Sequence, residues 1–178
     1  MDHADHVRLI RDGIPDGGGR WLELGAGSGA FTVALLDVLG DVADVVALDL
    51  DAGPLHQLRD RASRRFPRAR LTSVIGDFTD RADLPPGPFD GVLMANSLHF
   101  VHDKEPALMN AVAVLRPKGR FLVVEYGADQ GNPWVPWPIS YQSWAALAER
   151  VGLRETRKIG EVPSRFLDSI YAAVSLKL

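Results

Sequence analysis

A glycine-rich run with an acid in front of it is the part of this sequence best suited to bind a small ligand. Residues 21–29 are Trp-Leu-Glu-Leu-Gly-Ala-Gly-Ser-Gly, so Glu23 lies among apolar residues and three glycines alternate after it. Glycine has no side chain to hold a ligand away from the backbone. Residues 30–39 predict a helix, whose free N–H groups and dipole favour an anionic or polar group at its start. The run therefore predicts a nucleotide-like ligand.

Four polar residues, Glu23, Asp49, Asp77 and Asn96, stand at or just after the ends of four predicted buried strands. A single acid after a strand commonly caps a helix. If the strands are parallel, however, all four side chains lie at one edge of the sheet and form one polar crevice. Asp49, 24 residues after Gly25, suits the ribose hydroxyls of a nucleotide. Asp77 suits the exocyclic amine of a base and Glu23 a cationic amine, so the crevice should prefer a positively charged nucleoside to a pyrophosphate.

Apolar runs that alternate with amphipathic segments position these residues. The predicted strands are 20–24, 42–50, 70–75, 90–95 and 120–126, and the predicted helices are 30–39, 54–66, 104–115 and 141–151. Residues 153–178 predict two strands joined by a turn near Pro163, and little precedes the first strand. Continuous apolar strands suit burial on both faces. The alternation predicts an α/β fold, a doubly wound parallel sheet with helices on both faces.

Composition and charge fit one globular domain. A chain of 178 residues is long enough for one full core and short for two, so residues 1–178 are expected to form a single domain. A net charge of −3 does not favour binding to nucleic acid, and the six arginines between residues 59 and 70 are expected on a solvated helix face.

The absence of cysteine excludes disulfides and thiol nucleophiles. The N-terminus lacks signal-peptide character and no apolar stretch approaches the roughly 20 residues that span a membrane, so the cytoplasm is expected.

Five segments in order resemble the motifs of a class I S-adenosylmethionine-dependent methyltransferase, over nearly the whole chain. Residues 23–29 match the glycine-rich first motif, and residues 45–51 match the second-strand motif with its ribose-binding acid. Residues 75–78 resemble the segment flanking the adenine, residues 89–100 the fourth-strand motif, and residues 115–121 the turn before strand five. The resemblance implies a Rossmann-like seven-stranded sheet, mostly parallel with a C-terminal antiparallel hairpin, and S-adenosylmethionine as cofactor.

The resemblance also implies roles for individual residues. The expected cofactor-binding residues are Glu23, Gly25, Ala26, Gly27, Gly29, Asp49, Leu50, Asp77, Phe78 and Asn96. The glycines would line the methionine part of the cofactor, Asp49 would hold the ribose, and Asp77 with Phe78 would hold the adenine. Asn96 would lie near the methionine moiety or the substrate mouth. Asp51 stands where many relatives have a serine, so its role stays open.

The sequence says less about the residues that contact the methyl acceptor than about those that bind the cofactor. Methyl transfer is an in-line displacement, so the protein mainly orients the nucleophile and excludes water. His99, just after the fourth strand, is the candidate base if the nucleophile carries a proton; the alternative is a structural role at a helix start. No metal is predicted, because His99 and His102 lack an accompanying carboxylate cluster. The candidate substrate residues are Tyr126, Trp134, Trp137 and Tyr141, in and around a loop after strand five, although the tryptophans could instead cover the sheet.

The expected acceptor is a small molecule with an O, N or C nucleophile. Asn96 is not followed by a Pro-Pro-aromatic run, which departs from the enzymes that methylate nucleobase amines. The short chain predicts an open site, or one covered by a partner subunit in a homo-oligomer. A NAD-dependent oxidoreductase is an alternative, since residues 25–30 also satisfy a looser dinucleotide pattern, although Glu23 would lie beside the pyrophosphate. A non-catalytic cofactor-binding module that acts with a partner also fits the sequence, as does a transferase with a modified cofactor.

Overall fold

A seven-stranded sheet runs through the computed structural model, which describes residues 1–178. The strands are β1 Arg20–Leu24, β2 Asp44–Asp49, β3 Arg70–Ile75, β4 Phe89–Ala95, β5 Leu115–Tyr126, β6 Leu153–Pro163 and β7 Ser169–Lys177. Their order across the sheet is β3-β2-β1-β4-β5-β7-β6. Strands β1 to β5 are parallel, and β7 is antiparallel to both β5 and β6. The predicted fold class, a mostly parallel seven-stranded sheet with a C-terminal antiparallel hairpin, is therefore confirmed.

Helices cover both faces of this sheet. They are α1 His3–Arg11, α2 Ala30–Leu39, α3 Ala52–Arg65, α4 Lys104–Val114 and α5 Tyr141–Arg150. Along β1, Trp21 joins the core beneath α1, α2 and α3, whereas Leu22 and Leu24 join the core beneath α4 and α5. This alternation follows from the period of two residues in a strand. With both faces covered, the carboxyl ends of the parallel strands are the place for a ligand.

The structure corrects the sequence prediction at two elements. Helix α1 lies before β1, where the sequence analysis placed no element: Asp2 caps it, accepting from the backbone N–H of Asp5 at 2.9 Å. Its buried stripe is only Leu9 and Ile10, which is too short to establish a helical period. Strand β5 begins at Leu115 rather than at residue 120. Phe89 of β4 pairs with Leu115 and Gly91 pairs with Arg120, so the residues expected to form a turn lie in an irregularity of the strand pairing.

The arginines around α3 bind groups of the protein itself. Arg61 donates to the carbonyl of Ser28 at 2.7 Å, and Arg68 pairs with Asp41 at 3.0 Å. Arg65 likewise pairs with Asp37 at 3.3 Å. These pairs are exposed, so they contribute little to stability. The helices of this structure are each too short or too polar to cross a membrane.

Candidate cofactor and active site

A cleft of about 490 Å³ lies at the carboxyl ends of the parallel strands. Seven of the predicted cofactor residues line it: Gly25, Gly27, Asp49, Leu50, Asp77, Phe78 and Asn96. Four further residues line it that the sequence analysis did not select: Thr79, Ser97, Phe100 and Val101. Each of these four stands within a few residues of a selected one, so proximity to the motifs was the available signal. The volume falls within the roughly 300–1,000 Å³ of small-molecule sites.

Asp49 links the end of β2 to the glycine-rich loop. Its Oδ2 accepts from the backbone N–H of Gly27 at 2.7 Å, and its Oδ1 accepts from the N–H of Asp51 at 3.0 Å. An ionised carboxylate offers about four acceptor positions, so two remain for ligand hydroxyls. Asp51, whose role the sequence left open, caps α3 by accepting from the N–H of Gly53 at 2.9 Å.

Asp77 and Phe78 form the wall of the cleft beyond β3. The Oδ1 of Asp77 accepts from the backbone N–H of Thr79 at 2.8 Å and from its hydroxyl at 2.7 Å. The Oδ2 of Asp77 therefore stays available for an external donor. The ring of Phe78 lies close to Gly25, where an added Cβ would be 3.5 Å from it. An acceptor oxygen beside an exposed aromatic face suits an adenine ring.

Asn96 carries an unpartnered polar atom at the other side of the cleft. Its backbone is in the left-handed region at φ 52°, and its N–H donates to the carbonyl of Val124 at 2.8 Å. Its Oδ1 is buried and has no hydrogen-bond partner in the chain. Leaving such an oxygen unpaired costs about 1–3 kcal/mol. A ligand with an ammonium or hydroxyl donor would satisfy it, so the residues present fit S-adenosylmethionine.

Gly27 and Gly29 both have positive φ, but they serve different purposes. Gly27, at φ 52°, lines the cleft, and an added Cβ would meet no atom within 4 Å. Gly29, at φ 81°, begins α2, and an added Cβ would overlap the side chain of Leu58 on α3. Gly29 is therefore a packing residue behind the cleft. Ala26 also lies behind it, buried and donating its N–H to the carbonyl of Leu48 at 3.0 Å.

Alanine substitutions at these two glycines should separate binding from folding. Gly27→Ala is expected to destabilise the fold by only about 1–2 kcal/mol, the cost of the left-handed backbone, yet to weaken S-adenosylhomocysteine binding about tenfold or more, because the methyl group occupies the cleft. Gly29→Ala should overpack the α2–α3 contact as well. Urea unfolding and calorimetric titration measure both effects. Unchanged affinity in Gly27→Ala would contradict a ligand at this loop.

Glu23 does not line the cleft, which corrects the prediction that it meets a cationic amine there. Its side chain is 1% exposed and hydrogen-bonds the hydroxyl of Thr32 on α2. Burial raises the pKa of Glu23 to about 8; the charge of Asp49 adds to the rise and the hydrogen bond from Thr32 opposes it. Because burial favours the neutral form of this carboxyl, it is a poor partner for a cation.

A buried histidine–carboxylate pair lies beside the cleft. His99 is 3% exposed, and its Nδ1 lies 2.8 Å from Oε2 of Glu125. The Oε1 of Glu125 accepts from the backbone N–H groups of Leu98 and His99, at 2.8 and 3.2 Å. Since a carboxylate accepts, the proton of neutral His99 is assigned to Nδ1, which leaves Nε2 as its free acceptor. His99 does not itself line the cleft, but the ring of Phe100, which does, lies 4.3 Å from the imidazole.

Sequence reasoning missed Glu125. It is the next-to-last residue of β5, where it looks like one polar residue in an apolar strand. The pairing partner lies 26 residues earlier, in the short turn after β4. A buried acid at the carboxyl end of a central strand was the available signal.

The candidate substrate residues are placed in two regions. Trp134 and Trp137 are exposed, whereas Val135 between them is buried against the core under α1 to α3, so Val135 covers the sheet and the tryptophans do not. Tyr126 ends β5 with its ring 5.2 Å from His99. Tyr141 lies away from the cleft: it begins α5, and its hydroxyl donates to the carbonyl of Thr156 on β6 at 3.3 Å. Its ring packs against the core beneath α4 and α5 instead of lying with the preceding loop.

A parallel sheet with a glycine-rich loop after β1, an acid at the end of β2 and a terminal antiparallel hairpin defines a class I S-adenosylmethionine-dependent methyltransferase. The family model described as a methyltransferase domain matches residues 22–123, which is more than half of the chain and runs from β1 into β5. The chain belongs to this methyltransferase-domain family, whose cofactor is S-adenosylmethionine. This membership decides against the nicotinamide-dependent alternative.

Among curated relatives, the chain is similar to the ubiquinone/menaquinone biosynthesis C-methyltransferase UbiE. The identity is 33% over 116 residues with the protein of Ectopseudomonas mendocina (strain ymp), covering 65% of this chain and 44% of that protein. With the protein of Pseudomonas aeruginosa (strain UCBPP-PA14) it is 30% over 115 residues, again covering 65% and 44%. The chain therefore spans less than half the length of the curated relatives it matches.

Solved structures share the fold at low sequence identity. The YcgJ protein from Bacillus subtilis aligns with a TM-score of 0.78 at 15% identity, covering 98% of each chain. The 1,6-didemethyltoxoflavin-N1-methyltransferase of Burkholderia thailandensis, solved with bound 1,6-didemethyltoxoflavin and S-adenosylhomocysteine, aligns with a TM-score of 0.72 at 20% identity. That alignment covers 98% of this chain and 76% of the other. These likenesses support the fold.

Proposed function

We propose that this chain transfers a methyl group from S-adenosylmethionine to a small-molecule acceptor. The observation that carries the proposal is the convergence of the glycine-rich loop, Asp49, Asp77 and Asn96 in one cleft. We further propose that residues 1–178 act as one cofactor-binding domain, because all seven strands join one sheet. His99 and Tyr126, beside the cleft, belong to the acceptor side of this proposal.

Each polar group in the cleft has a distinct task in the proposed complex. The remaining acceptor positions of Asp49 would hold ribose hydroxyls, and the free Oδ2 of Asp77 would accept from the adenine amine. The unpartnered Oδ1 of Asn96 would accept from the ammonium group. The ring of Phe78 would pack against the adenine. When bound, the cofactor supplies a methyl group activated on a sulfonium, whose departure leaves a neutral thioether.

The acceptor is proposed to react through an atom that bears a proton. His99 Nε2 would take that proton, with Glu125 holding the imidazole through Nδ1. A phenol or an enolisable carbon needs such a base, whereas a neutral amine does not need one to attack. The UbiE relatives are named as C-methyltransferases, which supports the enolisable or phenolic class. A cofactor-binding module without turnover is the second candidate, since the burial of His99 also suits a purely structural role.

Cofactor binding is tested first, by thermal shift and calorimetry with S-adenosylmethionine, S-adenosylhomocysteine and NAD. A ligand at 100 times its dissociation constant should stabilise the fold by about 2.7 kcal/mol. We expect the first two ligands to bind, and Asp49→Asn to weaken them about tenfold or more, because hydrogen bonds to a charged group are worth about 1.5–3 kcal/mol. Asp51→Asn, which alters a helix cap outside the lining, is the matched control. Binding of NAD alone would overturn the proposal.

Acceptor class is tested next with radiolabelled S-adenosylmethionine and three probes of similar size. They are 1-naphthol for oxygen, 1-naphthylamine for nitrogen and 2-tetralone for an enolisable carbon. Transfer to the naphthol or the tetralone supports a base-assisted reaction. Transfer to the amine alone would contradict it. If the protein binds the cofactor but transfers no methyl group to these probes or to a broader panel of acceptors, the result favours the cofactor-binding module without turnover.

A further inference from the structure

Four large aromatic side chains lie exposed at the carboxyl edge of the sheet, and we call them the aromatic rim. They are Phe100, Trp134, Trp137 and Phe166, exposed by 64%, 73%, 46% and 55%. They come from three separate segments: the turn after β4, the loop between β5 and α5, and the turn between β6 and β7. Single exposed apolar residues need no explanation, but a group of them beside a cleft marks a contact surface.

Ring contacts connect the rim to the cofactor cleft. Phe100 lines the cleft and lies 4.3 Å from the ring of His99. His99 lies 5.2 Å edge-on to Tyr126, and Tyr126 lies 6.4 Å edge-on to Phe166. On the other side, Trp137 donates its backbone N–H to the carbonyl of His99 at 3.0 Å. Phe100 therefore lines the cleft itself, and Trp137 and Phe166 are connected to it through His99 and Tyr126.

Hydrogen bonds hold the backbone that carries Trp134 and Phe166. Asn132 Oδ1 accepts from the backbone N–H groups of Trp134 and Val135, each at 2.9 Å. The Nδ2 of the same asparagine donates to the carbonyl of Phe166 at 3.0 Å, which ties the two loops together. The N–H of Phe166 donates to Ser164 Oγ at 3.1 Å. A loop backbone that is ordered before binding loses less entropy when a ligand docks, so the loops that carry these rings are partly preorganised.

We infer that the aromatic rim binds the methyl acceptor, that the acceptor is a planar aromatic molecule, and that Phe166 helps to select it. The inference rests on the proposed function, since it takes the cleft as the methyl-donor site. Val135 already covers the sheet here, and Trp134 is 73% exposed, so covering the sheet does not account for this ring. A flat ring gains offset or edge contacts with such residues that a saturated ring of equal size does not. A protein partner on the rim would instead cover Phe100 and restrict the cleft.

The test measures binding of 1-naphthol and of its saturated counterpart, decahydro-1-naphthol, by calorimetry with S-adenosylhomocysteine present. We expect naphthol to bind at least tenfold more tightly than the saturated alcohol. Phe166→Ala and Trp137→Ala should each weaken naphthol binding about tenfold, a change of about 1.4 kcal/mol. Neither residue lines the cofactor cleft, so the affinity for S-adenosylhomocysteine should stay unchanged. Met109→Ala, at an exposed apolar residue on α4, is the matched control and should change neither affinity.

The outcomes separate this inference from the proposed function. If S-adenosylhomocysteine binds but naphthol does not, or if the rim and control variants bind naphthol equally, the rim is not the acceptor site. Self-association that light scattering detects and that Phe166→Ala and Trp137→Ala abolish would assign the rim to a second copy of the chain and overturn the inference. Failure of S-adenosylhomocysteine itself to bind would instead contradict the proposed function.

Discussion

His99→Gln is expected to lower kcat for methyl transfer about 10²–10⁴-fold, the usual contribution of a positioned general base. Nδ1 of His99 is bound to Glu125, so only Nε2 can accept a proton from the acceptor. Glutamine can occupy the site but cannot act as a base. The measurement is kcat against pH with the acceptor probe that turns over best. The kcat of the variant should lie below that of the wild type throughout the profile.

Glu125→Gln is the companion variant, because it keeps the size of the side chain and removes the charge. An amide can donate to Nδ1, which would move the proton of neutral His99 to Nε2 and remove the base. In the proposed reaction Glu125 is a positioning residue, and its loss should lower kcat with little change in KM for the cofactor. Glu125→Asp keeps the charge and should restore part of the rate.

Two controls keep this prediction falsifiable. His102→Gln alters a histidine that packs on Trp137 with ring centres 4.3 Å apart and has no part in the buried pair, so its pH profile should match the wild type. Near-ultraviolet circular dichroism and S-adenosylhomocysteine affinity show whether the buried variants still fold. A folded His99→Gln protein with full activity would leave His99 only the structural role of holding the turn after β4.

Glu23→Gln should make the stability of the protein less dependent on pH. The folded-state pKa of Glu23 is raised from 4.5 to about 8, so the favourable neutral form is fully present below pH 4.5. Its contribution is lost as pH rises toward 8, because the buried carboxyl must ionise or the chain unfold. Each pH unit well below 8 is worth about 1.4 kcal/mol and the slope falls near 8, so wild type should lose on the order of 2 kcal/mol relative to the variant between pH 6 and pH 8.

Urea unfolding across pH 5 to 9 measures this difference. Glutamine keeps a hydrogen bond to Thr32 without a titrating proton, so the variant should become the more stable protein at the alkaline end. Glu105→Gln is the control: Glu105 forms an exposed pair with Arg150 at 3.2 Å, and its replacement should change stability by about 0.5 kcal/mol or less. Parallel pH curves for wild type and Glu23→Gln would show that Glu23 ionises without cost in the folded protein.

The correct parts of the sequence prediction depend on neighbours along the chain. Strand β1 and helix α2 have the predicted bounds, because their apolar patterns are complete within a few residues and Gly29 marks the boundary. Asp49, Asp77 and Asn96 meet in the cleft because parallel strands necessarily end at one edge. The class of cofactor came instead from the resemblance of five segments, in order, to the motifs of a known family.

The incorrect or missed parts depend on residues distant along the chain. Whether Glu23 faces a ligand or the interior is decided by Thr32, which α2 brings over β1. The partner of His99 is supplied by β5, and Phe166 meets Tyr126 only when β7 returns beside β5.

The sequence by itself determined the sheet, the glycine-rich loop and the polar strand ends, because local periodicity and turn chemistry encode them. The tertiary structure decided which acid is buried, which histidine gains a carboxylate and which aromatic rings stay exposed. Those properties arise from packing between elements, where a side chain's solvation and hydrogen-bond partners are set by residues that no local pattern identifies.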